Sequence, residues 1–127
     1  MDRVTGIGGI FIKAKDPERM RDWYRNHLGF PIADWGGVAF EWEETRTPGR
    51  RGMTIWNLFP AASTYFDPSS APFMVNYRVD NLERVLADLR AEGCPVDDRV
   101  EESEYGKFGW VMDPEGNRIE LWEPPAE

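Results

Sequence analysis

The 127-residue chain reads as an α+β protein built from two similar halves, each a strand, a helix and then further strands. Three observations predict this. Two helical segments, each opening at an Asp and closing at a Gly, stand at corresponding places in the two halves. The segments around them alternate apolar and polar residues with the period of two that marks half-buried strands. Laying the second half over the first aligns Asp16 with Asp80, Gly29 with Gly93, Pro31 with Pro95, Asp34 with Asp98, Gly52 with Gly116, Ile55 with Ile119 and Pro60 with Pro124. Most of these matches fall on helix starts, helix exits, turns and strand ends, the punctuation that an internal repeat would keep.

In the first half, Ile7–Ala14 is the opening strand. Asp16 is a good N-cap with Pro17 at the first helical position. Met20, Trp23, Tyr24 and Leu28 share one helical face, and Gly29 is placed to end the helix. Strands are expected at Pro31–Trp35, Val38–Trp42 and Met53–Phe59. The Pro- and Ser-rich stretch Pro60–Pro72 reads as a connector. In the second half, Phe73–Val79 is the opening strand and Asp80 with Glu83 makes a capping-box-like start. Leu82, Val85, Leu86 and Leu89 form the apolar stripe and Gly93 ends the helix. Strands near Asp98–Glu102, Phe108–Met112 and Arg118–Glu123 complete the unit. The expected organisation is a single domain, with module one at about 4–60, a connector at about 60–72 and module two at about 73–124.

The last hairpin, Trp110 to Pro125, carries the most information. Pro114 presets φ at the first corner of the Asp113–Asn117 turn, and Gly116 and Asn117 tolerate the positive φ that closes it. Beyond the turn Ile119 and Leu121 face a core, which puts Glu120 and Trp122 together on the opposite face. A carboxylate held beside an indole is a plausible start for a binding cup; the simpler reading is an exposed strand Glu.

Composition narrows the function classes. Apolar residues make up 41% and aromatics 13% of the chain, which argues against disorder. Six Trp, seven Phe and four Tyr suit an apolar-walled ligand site. A net charge of −8 repels phosphate backbones and argues against a nucleic-acid partner. The cluster Arg46, Arg50 and Arg51 is the exception, either a solvated loop or a clamp for an anionic ligand or a partner subunit. A lone Cys94 cannot form an internal disulfide. No apolar run is long enough to span a membrane, so a cytoplasmic location is the default expectation. Cys94 has no neighbouring base in sequence to activate it.

Three segments resemble one known family. The hairpin WVMDPEGNRIELWEPP, the helix KAKDPERMRDWYRNHLGF (Lys13 to Phe30) and the helix VDNLERVLADLRAEGCPV (Val79 to Val96) are similar to the signature segments of the vicinal oxygen chelate superfamily, which holds glyoxalase I, bleomycin-resistance proteins, extradiol dioxygenases and methylmalonyl-CoA epimerase. The resemblance implies two tandem βαβββ modules whose curved mixed sheets form a cup. It implies a divalent metal held by four residues, one from each module's opening and closing strand, and a homodimer. It does not name a chemistry, because one scaffold hosts many.

Carried over residue by residue, the implied ligand set is largely missing. The first opening-strand position falls on Gly9, which has no donor, and the second on Met74, whose thioether suits hard divalent ions poorly. The closing strand supplies Glu120. The repeat places Trp56 opposite it, or Asn57 with a slip of one. His27, the sole histidine, lies on the first helix and reads as a surface residue. The expectation is therefore no cofactor and a degenerate metal site. In its place the same count puts Gly9, Phe11, Met74, Asn76, Glu120 and Trp122 on the cup side, with Trp56, Trp110 and Met112 nearby and Tyr105 as a lid. Gly9 would leave room for a small, partly apolar organic ligand. Whether the chain is an enzyme stays open: it either binds a ligand in this cup, or uses Glu120 as a base, or completes a non-standard metal site for lyase, isomerase or dioxygenase chemistry, or keeps a degenerate cup and serves only association.

Overall fold

The computed structural model describes residues 3–126. The chain runs β1 (Val4–Ala14), α1 (Pro17–Leu28), β2 (Val38–Glu43), β3 (Arg51–Pro60), β4 (Phe73–Val79), α2 (Leu82–Ala91), β5 (Glu101–Ser103), β6 (Gly106–Met112) and β7 (Arg118–Glu123). The strands form one mixed sheet of seven in the order β2-β3-β1-β4-β7-β6-β5, so the fold is α+β. The two halves meet edge to edge where β1 pairs antiparallel with β4. Within each half the opening strand pairs parallel with the last strand, which sets Phe11 beside Asn57 and Asn76 beside Glu120.

Local chemistry explains the helix limits. Asp16 caps α1 by accepting from the Arg19 amide, and Gly29 ends it in the left-handed region at φ 68°. At α2 the cap is Asn81, which accepts from the Arg84 amide, rather than the expected Asp80. Asp80 instead pairs with Arg50 at 2.7 Å. The expected strand at Pro31–Trp35 is absent, because the chain turns there through Gly36 and Gly37. The first half therefore carries two strands after its helix and the second carries three.

Both helices lie on one face of the sheet. The stripe Leu82, Val85 and Leu86 of α2 packs with Val79, Val111 and Leu121, each large aliphatic contributing about 2 kcal/mol by its burial. Helix α1 has no fully buried residue and leans Met20 and Tyr24 on Val38, Trp56 and Leu58. The face opposite the helices is the cup face. There a third apolar cluster joins Phe66, Met74 and Trp110, with Phe11, Phe59, Tyr65 and Phe108 against it.

Candidate functional site

Alternation along β4, β6 and β7 sends Met74, Asn76, Arg78, Phe108, Trp110, Arg118, Glu120 and Trp122 to the cup face. At its centre Glu120 is 1% exposed. Three groups donate to its carboxylate: the Tyr65 hydroxyl at 2.5 Å, the Asn76 amide at 2.7 Å and the Trp110 indole N–H at 3.0 Å. Burial raises the Glu120 carboxyl above its ordinary value, outweighing the three donors that favour its charged form. Burial, together with the neighbouring Glu120 charge, raises the Tyr65 hydroxyl as well.

The lid over Glu120 is the connector. Tyr65 stacks on Phe59 with ring centroids 5.3 Å apart, and Phe66, with no exposed surface, fills the space beside Met74 and Trp110. Glu120 is thus covered by the chain itself, and a hollow of about 620 Å³ lies outside this cover, lined by Phe59, Tyr65, Asp97, Arg99 and Arg118 among others. The room expected above Gly9 is likewise occupied. A Cβ at Gly8 would stand 2.2 Å from Asn76 Oδ1, and one at Gly9 would stand 2.7 Å from the Phe11 ring. The glycines admit these neighbours rather than a ligand.

The expected site residues therefore separate into three groups. Phe11, Met74, Asn76, Trp110 and Glu120 come together, but as packed groups, with Gly9 beneath them. Trp56 does not join them. It points to the helix face, where its ring meets Tyr24 at 4.8 Å and Phe30 at 5.0 Å. In the parallel β1–β3 pair it is Asn57, one residue along, that shares the cup face with Phe11. Trp122 and Tyr105 lie at the far end of the cup, where a hollow of about 420 Å³ is walled by Met53, Arg51, Arg78 and Pro124 as well. The Trp122 ring stacks on Phe108 at an interplanar angle of 3°, and its N–H donates to the Tyr105 carbonyl at 2.7 Å. Tyr105 itself is 66% exposed, at the rim.

The matching model of the Glyoxalase/Bleomycin resistance protein/Dioxygenase superfamily spans residues 6–121. The chain belongs to this superfamily. Its fold is similar to that of a methylmalonyl-CoA epimerase from Mycobacterium tuberculosis, with TM-score 0.64 and 19% identity over 99% of this chain and 92% of that one. A methylmalonyl-CoA epimerase in complex with methylmalonyl-CoA and NH4+ gives TM-score 0.70 and 17% identity, covering 97% of this chain and 96% of that one. A superfamily member from Vibrio splendidus gives TM-score 0.59 and 14% identity, covering 92% and 97%. No curated protein matches the sequence.

The superfamily often uses a divalent metal, and the residues at the corresponding place here do not fit one. Both Glu120 oxygens accept from N–H or O–H donors, and an indole N–H cannot ligate. Asn76 turns its nitrogen to Glu120, which leaves its buried oxygen without a partner and directed toward Gly8, away from the carboxylate. Among the described residues no three His, Cys, Asp or Glu side chains cluster as a metal site would require. His27 stays on α1 beside Trp23, 5.3 Å between rings.

Three residues that the sequence reading left aside prove central. Arg78 and Arg118 alternate with Asn76 and with Glu120 at the two-residue spacing, so the same face assignment would have found them. Arg118 donates to the Asp67 carbonyl and to Asp97, tying the connector to β7. Tyr65 sits in the connector, where no periodicity marks an inward residue.

Proposed function

We propose that this superfamily member binds a small, partly apolar organic molecule without a metal, in the open end of the cup rather than over Glu120. The observation that carries the reading is the hollow of about 420 Å³ beside Trp122, Tyr105 and Met53. The Trp122 indole, 9% exposed, is stacked on Phe108, overlain by Arg78 and fixed by its N–H, so the edge it turns to the hollow is preorganised, and preorganisation lowers the entropic cost of binding. Tryptophan-fluorescence and thermal-shift screening of small aromatic compounds tests it. The expected result is saturable quenching that Trp122→Leu abolishes; compounds that bind equally well to that variant would defeat it.

A second reading is favoured by one observation, the buried and raised carboxyl of Glu120 under a single phenol. Here Tyr65 swings aside, Glu120 takes the proton from a carbon next to a carbonyl, and returns it to an adjacent position on the same face. This is isomerase-type chemistry, in line with what the epimerase neighbours are named for. Solvent deuterium exchange into candidate acyl compounds would reveal it, and Glu120→Gln should stop the exchange.

The proposal includes a single domain acting as a homodimer. Helix α1, the turn that follows it and the edge strand β2 leave Trp23, Leu28, Trp35 and Phe40 between 40% and 56% exposed, a patch that a second copy would cover. Light scattering at micromolar concentration reads this directly. Among the described residues no helix is long and apolar enough to cross a membrane.

A further inference from the structure

The arginine cluster and the open hollow meet in space although neither the fold nor the proposed binding site required it. Arg51 and Arg78 line the hollow of about 420 Å³ and also line an adjoining one of about 330 Å³ that Arg50 shares. Arg78 is 9% exposed. Its guanidinium lies 5.5 Å from the Trp42 ring and 5.2 Å from the Trp122 ring, so one cation is held between two indoles. Arg50 is engaged by Glu44 at 2.9 Å and Asp80 at 2.7 Å. Arg51 is exposed at the boundary between the hollows, and among the described residues it makes no ion pair. The acidic groups nearby are Glu41 and Glu104 at the rim, and Glu123, which accepts from the Leu82 amide.

A chain of net charge −8 disfavours anions as a whole, so two guanidinium groups, Arg51 and Arg78, set beside an aromatic wall select for a particular ligand. Resting on the binding reading above, we propose that the ligand is an organic anion. Its flat apolar body lies against Tyr105, Met53 and the edge of Trp122, and its carboxylate, sulfonate or phosphate is held by Arg51 and Arg78. A guanidinium offers paired N–H donors to such a group, and the two indoles on either side of Arg78 hold it in place in advance.

The test compares two fluorescent probes that share a body and differ in charge: anilinonaphthalene sulfonate and the uncharged phenylnaphthylamine. The sulfonate should bind the intact protein with one-to-one stoichiometry and at least about tenfold more tightly than the neutral probe. Arg51→Glu, an exposed change that leaves the fold in place, should remove most of that difference while the neutral probe keeps its affinity. Arg78→Lys, which keeps the charge but loses the paired donors, should reduce it by a smaller factor. Equal binding of both probes to the wild type, or an Arg51→Glu variant that still prefers the sulfonate, overturns the anion proposal while the binding site stands. Failure of both probes to bind overturns the binding site with it.

Discussion

The two ends of the cup use similar side chains to opposite effect. At the sealed end the connector lowers Tyr65 and Phe66 onto Glu120, Met74 and Trp110, and Tyr65, Asn76 and Trp110 donate to the carboxylate. At the open end Trp122 is fixed just as firmly, by Phe108 and the Tyr105 carbonyl, yet a hollow of about 420 Å³ remains among the described residues. Aromatic content alone does not make a binding site; what decides is whether a loop of the same chain already fills the place.

Changes at the sealed end should therefore cost stability, and those at the open end should cost only binding. Phe66→Ala removes a ring with no exposed surface and should lower the unfolding free energy by about 3–5 kcal/mol, measured by urea denaturation, with probe affinity at the open end unchanged. Loss of probe binding in a folded Phe66→Ala protein would merge the two ends into one site.

Glu120→Gln comes next. An amide nitrogen in place of one carboxylate oxygen leaves an indole or amide donor without an acceptor, for about 1–3 kcal/mol. Its pH dependence carries a definite sign. Burial raises the folded carboxyl above 4.5, so the folded state binds more protons than the unfolded one in the window between 4.5 and that raised value. The stability that Glu120 contributes is thus complete below the window and declines as pH climbs through it. The advantage of wild type over Glu120→Gln should narrow across that range in thermal melts at stepped pH, and a widening gap would contradict the assigned direction.

Tyr65→Phe keeps the ring stacked on Phe59 and deletes one hydrogen bond, a cost of about 1 kcal/mol. It should also push the Glu120 carboxyl higher still, since the lost O–H favoured the charged form. Infrared titration of the carboxyl band can follow this. Smallest of all, Tyr105→Ala at the rim should alter stability by no more than about 0.5 kcal/mol while weakening the probe.

The strands and helices were legible because their periodicity is set by core burial: Leu82, Val85 and Leu86 on α2, and Ile119 and Leu121 on β7, declare their faces in sequence. The positions of Glu120 and Trp122 on a shared face followed from the same alternation. Trp56 was assigned to the wrong face because the repeat supplied a register one residue off, and in a strand one residue reverses every side chain. The closure of the cup was not legible at all. It depends on a non-periodic connector whose inward residues, Tyr65 and Phe66, are chosen by tertiary contacts, and the glycines of β1 look the same in sequence whether a ligand or a neighbouring ring occupies the space above them.

The most direct measurement is a titration of the six indole N–H signals by proton–nitrogen NMR as anilinonaphthalene sulfonate is added. The Trp122 signal should move progressively to saturation, with Trp42 following and Trp110 still, because its N–H stays on Glu120. A shift confined to Trp110, with Trp122 unmoved, would place the ligand over the buried carboxylate and contradict the assignment of the open end.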